Sequence, residues 1–362
     1  MLDTAIVGAG LSGLALASRL HQQGVQCALF EARERIGGRI LSLSVDGMML
    51  DMGPAWYWPA IQPRMTHWIK SLGLDTFQQY DQGIVLSITD PDKAAQHYTT
   101  EPIHNGAMRL AGGMDSLIQA FAETLPASSI HRSHVLKAVI QRADHVELHF
   151  QHAEQLLTIL ARQVVLTVPP RVLEEQVTFV PPLDEALRQA MRATPTWMAG
   201  QAKVLVTYPQ PFWRDEGYSG NAFVNHEQAM LYETFDACDA GAEHAALGGF
   251  VALSPALRLS FQQGFSLLVS SQLAQLFGSA AENGALTLQD WAVEPYTCSI
   301  LDQIPLSSHP IYDAPILHKP WWDAKLFFCG TETAGYAAGY MEGALEAGER
   351  VSYLLSRRSE MA

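Results

Sequence analysis

Cysteine is scarce in this chain of 362 residues, which contains Cys27, Cys238, Cys298 and Cys329 and no others. The four are scattered without paired spacing, and free buried thiols of this kind are typical of a reducing compartment. The first strand-like run begins almost at the first residue, which leaves no room for a signal peptide. We therefore expect a cytoplasmic protein without disulfides.

Three further absences each argue against a class of protein. No run is long and apolar enough to cross a bilayer, the histidines and cysteines form no recognisable metal-binding motif, and no G-x-S-x-G elbow indicates a serine hydrolase. Basic residues are also few, since 23 Lys and Arg against 37 Asp and Glu give a net charge of −14. This balance argues against nucleic-acid binding, which needs basic patches, and it is compatible with a cationic substrate.

A glycine-rich turn stands near the start of the chain. Residues 4–7 form an apolar run that predicts a buried parallel strand, and residues 11–22 have apolar side chains at helical spacing. Between them, Gly8, Gly10 and Gly13 form a G-x-G-x-x-G pattern in the strand–turn–helix context that it requires. Gly8 permits the tight turn, Gly10 lets the backbone approach a pyrophosphate, and Gly13 permits close helix–strand packing. The helix start then offers free N–H groups to phosphates.

Glu31 ends a second strand, predicted over residues 25–30, about 20 residues after the glycines. A carboxylate at this place accepts hydrogen bonds from ribose hydroxyls and disfavours the 2′-phosphate of NADP. The alternative, a glycine-rich turn without a ligand, explains neither the following helix nor Glu31. The motif by itself leaves both NAD and FAD open.

Other motifs resemble the flavin-containing monoamine oxidase family, within the wider group of polyamine and L-amino-acid oxidases. They follow the family order over nearly the whole chain and are most specific at its two ends. The matching segments are 31–39, ending in Gly37-Gly38-Arg39, then 51–55, 111–114, 164–170, 201–203, 329–333, 339–344 and 346–350. The resemblance favours FAD over NAD and implies an amine oxidase.

The resemblance also implies which residues hold FAD. They lie in the first glycine turn, the 31–39 element, the loop beside the flavin ring, the adenine contact and the turn before the last helix. Arg33 and Arg39 would meet phosphates, and the N-terminus of the last helix would stabilise negative charge on reduced flavin. The cofactor-binding candidates are Gly8, Gly10, Leu11, Ser12, Gly13, Glu31, Ala32, Arg33, Gly38, Arg39, Met52, Gly53, Pro54, Ala55, Val135, Gly330, Thr331, Glu332 and Met341.

Covalent members of the family attach FAD through a cysteine just before the second of two cage tyrosines. Counted from Trp291, the cysteine position falls on Ile300, and Cys298 stands two residues earlier. We therefore predict non-covalent FAD, unless a gap shifts the alignment and brings Cys298 into place.

Two residues are candidates for catalysis. The family has a lysine on the strand where Lys203 stands, and that lysine holds a water against flavin N5; a strand-edge lysine is the alternative. Tyr340 occupies the place of one cage tyrosine, where an aromatic face orients the amine; a packed core aromatic is the alternative. The second cage position falls on Leu301, so the cage would be half built. Trp56 and Tyr296 are further candidates for the substrate cavity.

The order of the motifs predicts an α/β protein with two interleaved parts. A discontinuous, Rossmann-like FAD-binding domain would comprise 1–75, 107–193 and 291–358, and a smaller α+β substrate domain would comprise 76–106 and 194–290. The family has a long helical insertion where this chain has only the short stretch 75–107. A helical cap would then be missing, and a second subunit in a homodimer is one way to complete the cavity.

The expected activity is FAD-dependent oxidation of a small-molecule amine, with hydride transfer to flavin N5 and reoxidation by O2 that gives H2O2. One alternative is an FAD-dependent C–C desaturase on the same scaffold, which the leucine at position 301 and the short cap favour. Another is a non-catalytic flavin-binding partner protein. Retention of Lys203 and of both dinucleotide signatures argues against the second alternative.

Overall fold

The structure, a computed structural model, describes residues 1–304, 306 and 308–359. Over these residues the strands are β1 (Leu2–Val7), β2 (Cys27–Phe30), β3 (Ser42–Val45), β4 (Met48–Asp51), β5 (Thr76–Gln78), β6 (Ile84–Ile88), β7 (Gln96–Tyr98), β8 (Met108–Leu110), β9 (Ile130–His131), β10 (Val135–Gln141), β11 (Val146–His152), β12 (Gln155–Leu166), β13 (Thr178–Val180), β14 (Ala202–Tyr208), β15 (Tyr218–Val224), β16 (Leu231–Asp236), β17 (Ala245–Val251), β18 (Ala285–Asp290) and β19 (Leu326–Phe328). The helices are α1 (Leu11–Gln22), α2 (Pro63–Ser71), α3 (Asp115–Glu123), α4 (Pro170–Gln176), α5 (Glu185–Ala193), α6 (Phe212–Asp215), α7 (Pro255–Ser260), α8 (Phe265–Phe277) and α9 (Met341–Ser359).

An eight-stranded sheet carries the glycine turn. Its order is β13-β10-β11-β12-β1-β2-β9, and β19 pairs with β12 off this path. Around β1 the pairing is parallel, with β12 on one side and β2 on the other. Parallel strands covered on both faces are uniformly apolar, and residues 4–7 of β1 are fully buried as the sequence predicts.

Strand β12 differs from the sequence prediction, which divides it into one strand over 156–160 and another over 164–168. The structure has a single strand of 12 residues. Its first half alternates between exposed and half-buried positions beside antiparallel β11, and its last residues are buried between parallel β1 and β19. The burial pattern changes along the strand because the first half pairs with β11 and the last residues pair with β1 and β19. In the sequence alone, such a change in the spacing of apolar residues resembles a boundary between two strands.

Helices α1, α3 and α9 cover one face of this sheet through a core that includes Leu14, Phe121 and Leu345. The two ends of the chain meet here. Ser12 in α1 donates a side-chain hydrogen bond to the carbonyl oxygen of Cys329, which is 317 positions later. Any Cβ at Gly348 of α9 would lie 3.4 Å from the carbonyl oxygen of Ser12, so the two helices pack closely.

A seven-stranded sheet forms the second layer, in the order β18-β14-β17-β16-β15-β6-β7. One face packs on α8 through residues such as Val269 and Leu273. The opposite face carries Leu205, Phe235 and Phe250 and packs on Leu50 of the β3–β4 hairpin. That hairpin follows the 31–39 element, so the second face of this sheet lies toward the glycine turn.

The stretch 75–107, where the sequence predicts the loss of a helical cap, is entirely described and contains strands and turns but no helix. Its strands β6 and β7 extend the edge of the seven-stranded sheet, and β5 pairs with β8. Among the helices described here, none has both the length and the apolar character needed to cross a membrane.

Candidate functional site

The turn between β1 and α1 is built on three glycines under different constraints. Gly8 has a φ of +104°, and a Cβ there would lie 2.3 Å from Thr167 Oγ1. A Cβ on Gly13 would lie 2.1 Å from the carbonyl oxygen of Gly8, closer than side-chain carbons approach. A Cβ on Gly10, which lines a cavity, would meet no other atom nearer than 3.8 Å. Gly8 and Gly13 are therefore required by the turn itself, whereas Gly10 leaves room for a ligand.

Glu31 follows β2 and is only 4% exposed. Its Oε2 accepts a hydrogen bond of 2.8 Å from the N–H of Ala9, and its Oε1 accepts one of 3.0 Å from the N–H of Arg33. Two backbone donors thus fix the carboxylate beside the glycine turn, on the cavity wall. Its remaining lone pairs can accept hydrogen bonds from the hydroxyls of a ribose.

A cavity of about 390 Å³ runs from this turn to the face of the seven-stranded sheet. Most residues singled out by the sequence lie on its wall. They are Gly8, Gly10, Leu11, Ser12, Glu31, Ala32, Arg33, Gly38, Arg39, Met52, Gly53, Pro54, Ala55, Trp56, Val135, Lys203, Tyr296, Thr331, Tyr340 and Met341. Gly13, Gly330, Glu332 and Leu301 are not wall residues.

The two arginines of the 31–39 element have different partners. The guanidinium of Arg33 donates to Glu294 Oε2 at 2.7 and 2.9 Å and to Thr297 Oγ1 at 2.9 Å. Its charge is therefore already matched, which weakens the expectation that it meets a phosphate. Arg39 Nη2 lies 2.6 Å from Glu332 Oε1. The Glu332 side chain is fully buried, and neither of its oxygens has a hydrogen bond of good geometry among the described residues.

Lys203 in β14 is 3% exposed, so it is not the strand-edge lysine of the alternative interpretation. Its Nζ donates to the carbonyl oxygen of Gly53 at 2.9 Å and lies 5.2 to 5.8 Å from the rings of Trp56, Phe235 and Phe250. Burial lowers the pKa of Lys203 to about 7, against the opposing effect of the Asp51 charge. A buried amine that titrates near neutral pH can change its charge under working conditions.

Tyr340 immediately precedes α9 and is 44% exposed, so it is not a packed core residue. Its ring stacks on His309, with centroids 4.6 Å apart and planes 6° apart, and His309 also contacts Trp197. Leu301, expected opposite Tyr340, is 49% exposed within a 3₁₀ turn, Ile300–Asp302, and is absent from the cavity wall. The structure thus corrects the expectation for Leu301: its side chain is half exposed to solvent and does not line the cavity opposite Tyr340.

Several wall residues were not among the site residues proposed from the sequence. They are His134, Leu173, Gln176, Trp197, Met198, Gln201, Phe250, Trp291 and Thr297, among others. His134 adjoins Val135 and Gln201 lies within the matching segment 201–203, so the motifs could have indicated both. Trp197 and Phe250 have no such neighbour, and the fold alone brings them to the cavity.

The wall residues fit FAD. No side chain caps the N-terminus of α1, so the N–H groups of its first turn are left for a phosphate. Gly10 has open space where a side chain would stand, and Glu31 is fixed at the ribose end. Met341, the first residue of α9, lines the same cavity, so a second helix N-terminus is available at the flavin end.

The glycine geometry makes a prediction about two alanine variants. Gly10→Ala should leave the stability of the apoprotein nearly unchanged and weaken FAD binding at least tenfold, because its Cβ enters only the cavity. Gly13→Ala should destabilise the apoprotein by about 1–3 kcal/mol, because its Cβ collides with the Gly8 carbonyl. Urea unfolding of the apoproteins and FAD titration would check both, with Gly264→Ala, which meets no atom within 4 Å, as the control. Undiminished FAD affinity in Gly10→Ala would contradict this role.

Residues 92–355 match the family model described as flavin containing amine oxidoreductase, and residues 6–72 match one described as an NAD(P)-binding Rossmann-like domain. Flavin-containing amine oxidase B of Cavia porcellus is 24% identical, over 97% of this chain and 85% of its own length. Putrescine oxidase of Kocuria rosea is 26% identical, over 69% of this chain and 73% of its own length.

Solved structures share the fold. Wild-type putrescine oxidase bound to putrescine has a TM-score of 0.80 at 21% identity, over 98% of this chain and 99% of that one. Cyclohexylamine oxidase from Brevibacterium oxydans has a TM-score of 0.81 at 18% identity, over 99% of both chains. These likenesses confirm the predicted α/β fold, and the family match over residues 6–72 confirms its Rossmann-like part.

Proposed function

Since this chain belongs to the flavin containing amine oxidoreductase family, we propose that it oxidises the C–N bond of an amine in the cavity beside Lys203. It is an FAD-dependent oxidoreductase. The observation that carries the proposal is the continuity of one cavity, which joins the dinucleotide turn at Gly10 to the buried amine of Lys203.

Bound FAD would supply the redox chemistry, in which a hydride equivalent leaves the carbon next to nitrogen and both electrons would pass on to O2 to give H2O2. The oxidised substrate is an imine, which water hydrolyses to a carbonyl compound and an amine or ammonia. The chain holds and orients the reactants and controls charge and water around them.

We assign the chain's own contributions to two residues. Lys203, which by the family resemblance would stand at the reactive edge of the flavin, supplies a titratable amine whose hydrogen bond to the Gly53 carbonyl fixes its position. Tyr340 offers an aromatic face on the wall, which attracts and orients an approaching amine. Leu301 does not line the cavity, whereas Trp197 does, and Trp197 contacts His309, on which the ring of Tyr340 stacks.

We propose that FAD is bound without a covalent link. Cys298 does not belong to the cavity wall, and its Sγ lies near the Ser299 carbonyl oxygen and Gln303 Nε2. Burial raises the pKa of Cys298 to about 12, so its reactive thiolate form is strongly disfavoured. A link at Ile300 has no side-chain nucleophile available.

The relatives reported above favour an amine over the two alternatives, a C–C desaturase and a non-catalytic flavin-binding protein. All of them are named amine, putrescine or cyclohexylamine oxidases. The name putrescine oxidase makes short aliphatic amines the first substrates to test on this chain.

The test is anaerobic stopped-flow absorbance of the yellow holoprotein, mixed in turn with primary, secondary and polyamines and with amino acids. We expect at least one amine to bleach the flavin band, and admission of air to restore it. A flavin that every amine leaves oxidised would contradict amine oxidation. Buffer and a matched alcohol series are the controls.

We also propose the domain division 1–75, 107–193 and 291–358 against 76–106 and 194–290. The strands of the eight-stranded sheet all lie in the first group and those of the seven-stranded sheet all lie in the second. A cytoplasmic location is supported by the four cysteines, which are all free. A homodimer that completes the cavity stays a prediction.

A further inference from the structure

Trp56 is a cavity-wall residue that other side chains hold from outside the cavity. It is half-buried and lines the cavity, and the centre of its ring lies 5.7 Å from Lys203 Nζ. The ring of Phe235 packs edge-on against it, with centroids 4.7 Å apart. The indole therefore borders the place where the proposed function puts the amine.

The stretch 75–107, which the structure describes throughout, contains two buried polar side chains. They are Gln79, which is 3% exposed, and His104, which is 7% exposed. Both contact Trp56. The backbone N–H of Gln79 donates to the carbonyl oxygen of Ala107 at 3.0 Å, which joins the two ends of the stretch. The segment that stands in place of a helical cap thus directs both of its buried polar groups to one wall residue.

The amide of Gln79 can face Trp56 in only one orientation. Its Nε2 donates to two carbonyl oxygens, that of Tyr80 at 2.9 Å and that of Asp236 at 2.7 Å. Carbonyl oxygens only accept, so Oε1 of Gln79 faces Trp56 and accepts from its Nε1 at 2.8 Å. This hydrogen bond fixes the direction in which the edge of the indole points.

The imidazole of His104 holds the face of the indole, with centroids 4.5 Å apart and planes 31° apart. Asp81 anchors the imidazole, because its carboxylate lies 3.4 Å from Nδ1 and also accepts from the backbone N–H of His104. The side-chain amide of Asn221 donates to the same carboxylate. An indole that is held both at its edge and on its face has little freedom to turn, so it forms a rigid part of the wall.

We propose that Gln79 and His104 are positioning residues, which hold Trp56 as a rigid wall and thereby make the enzyme select amines by the shape of the carbon skeleton. The inference rests on the proposed function and adds the residues that set its selectivity. Neither residue lines the cavity, so each acts through Trp56. A rigid wall rejects a skeleton that does not fit, whereas an indole that is free to turn gives way to it.

The experiment compares n-hexylamine with cyclohexylamine on the holoenzyme, since the two have the same number of carbons and one ammonium group each. The change in flavin absorbance during anaerobic titration gives an apparent Kd for each amine, whether or not that amine is oxidised. We expect the two wild-type values to differ by about tenfold or more. Gln79→Leu retains most of the side-chain volume and removes the acceptor, so the two values should approach each other.

Two further variants test whether the effect passes through the indole. Trp56→Phe removes the N–H that Gln79 accepts from, so adding Gln79→Leu to Trp56→Phe should not change the ratio of the two Kd values further. His104→Phe retains a ring against the indole and loses the anchor to Asp81. It should also lower the ratio, which tests the proposal even if Gln79→Leu does not fold.

The indole N–H of Trp56 gives a readout that needs no turnover. In NMR spectra of the isotope-labelled holoenzyme, the indole signal that is missing from Trp56→Phe identifies it. Its exchange with solvent should be about tenfold faster or more in Gln79→Leu than in the wild type. Unchanged exchange would show that Gln79 does not hold the indole. Gln82→Leu, at an exposed position of the same stretch, is the matched control and should behave as wild type in both measurements.

Two results of the titrations would overturn the proposal. One is a wild-type enzyme that binds the two amines equally, and the other is a wild-type ratio retained in both Gln79→Leu and His104→Phe. Either result leaves amine oxidation standing, because that activity is judged by whether any amine of the substrate panel reduces the flavin. A wild-type flavin that no amine of the panel reduces contradicts the proposed function instead.

Discussion

Lys203→Met should slow the reaction of the reduced enzyme with O2 by roughly 100-fold or more, the scale of losing one preorganised polar group, and leave FAD bound. The side chains are similar in length, so the variant removes the amine and retains most of the packing. Its pH dependence is the sharper part of the prediction. Lys203, whose pKa is lowered to about 7, is an ammonium below that pH and a neutral amine above it.

The sign of the pH effect follows from this titration. Positive charge on Lys203 is present at low pH and is lost as the pH rises through about 7; if Lys203 acts beside the flavin as we propose, the wild-type oxygen reaction should slow over that interval. Lys203→Met has nothing to titrate there, and its rate should be flat.

Stopped-flow oxidation of the reduced holoenzyme from about pH 6 to about pH 9 measures both effects. The exposed Lys70 offers a matched control in Lys70→Met, which should retain the wild-type rate and pH profile. Oxygen kinetics that do not change in Lys203→Met would remove Lys203 from the mechanism.

Arg39→Ala should lower the free energy of unfolding of the apoprotein by about 3 kcal/mol, because it leaves the buried Glu332 carboxylate without its counter-charge. The reverse change should cost less. In Glu332→Gln the unpaired group is Arg39, whose side chain is 27% exposed and can be solvated. The effect on stability should therefore be asymmetric between the two partners.

The double variant separates stability from cofactor binding. Arg39→Ala with Glu332→Gln should recover most of the lost stability, since no buried charge remains, but FAD affinity should stay low because Arg39 no longer reaches the cavity. Urea unfolding of the apo forms of the wild type, the two single variants and the double variant, together with FAD titration of each, gives a complete double-mutant cycle. If the double variant is no more stable than Arg39→Ala alone, the ion pair does not account for the loss.

Local features were predictable from the sequence because local chemistry determines them. The helix predicted over residues 11–22 is α1, and the run 4–7 is the buried part of β1. Both depend on side chains within one or two turns of each other. The residues that a strand, a glycine turn and a helix N-terminus each require are close together in the sequence, so a motif can be recognised from them.

The remainder of the site depends on distant contacts that no local pattern records. His309 and Trp197 meet beside Tyr340 although more than a hundred residues separate them. Counting residues from Trp291 assigned Leu301 to the cage, whereas in the structure Leu301 belongs to a half-exposed 3₁₀ turn, Ile300–Asp302, and does not line the cavity. The position of Lys203 beside Phe250 follows from the register between β14 and β17, which are distant in the chain.

The contact between Ser12 and Cys329 has a consequence for how the protein is made. At about 5–20 residues per second, a ribosome adds Cys329 roughly 15 to 60 s after Ser12, since 317 positions separate them. During that interval the side of α1 that packs on α9 has no partner, and the nucleotide pocket is half assembled. FAD cannot act as an early template for folding, and loading of the cofactor must wait until α9 has been synthesised.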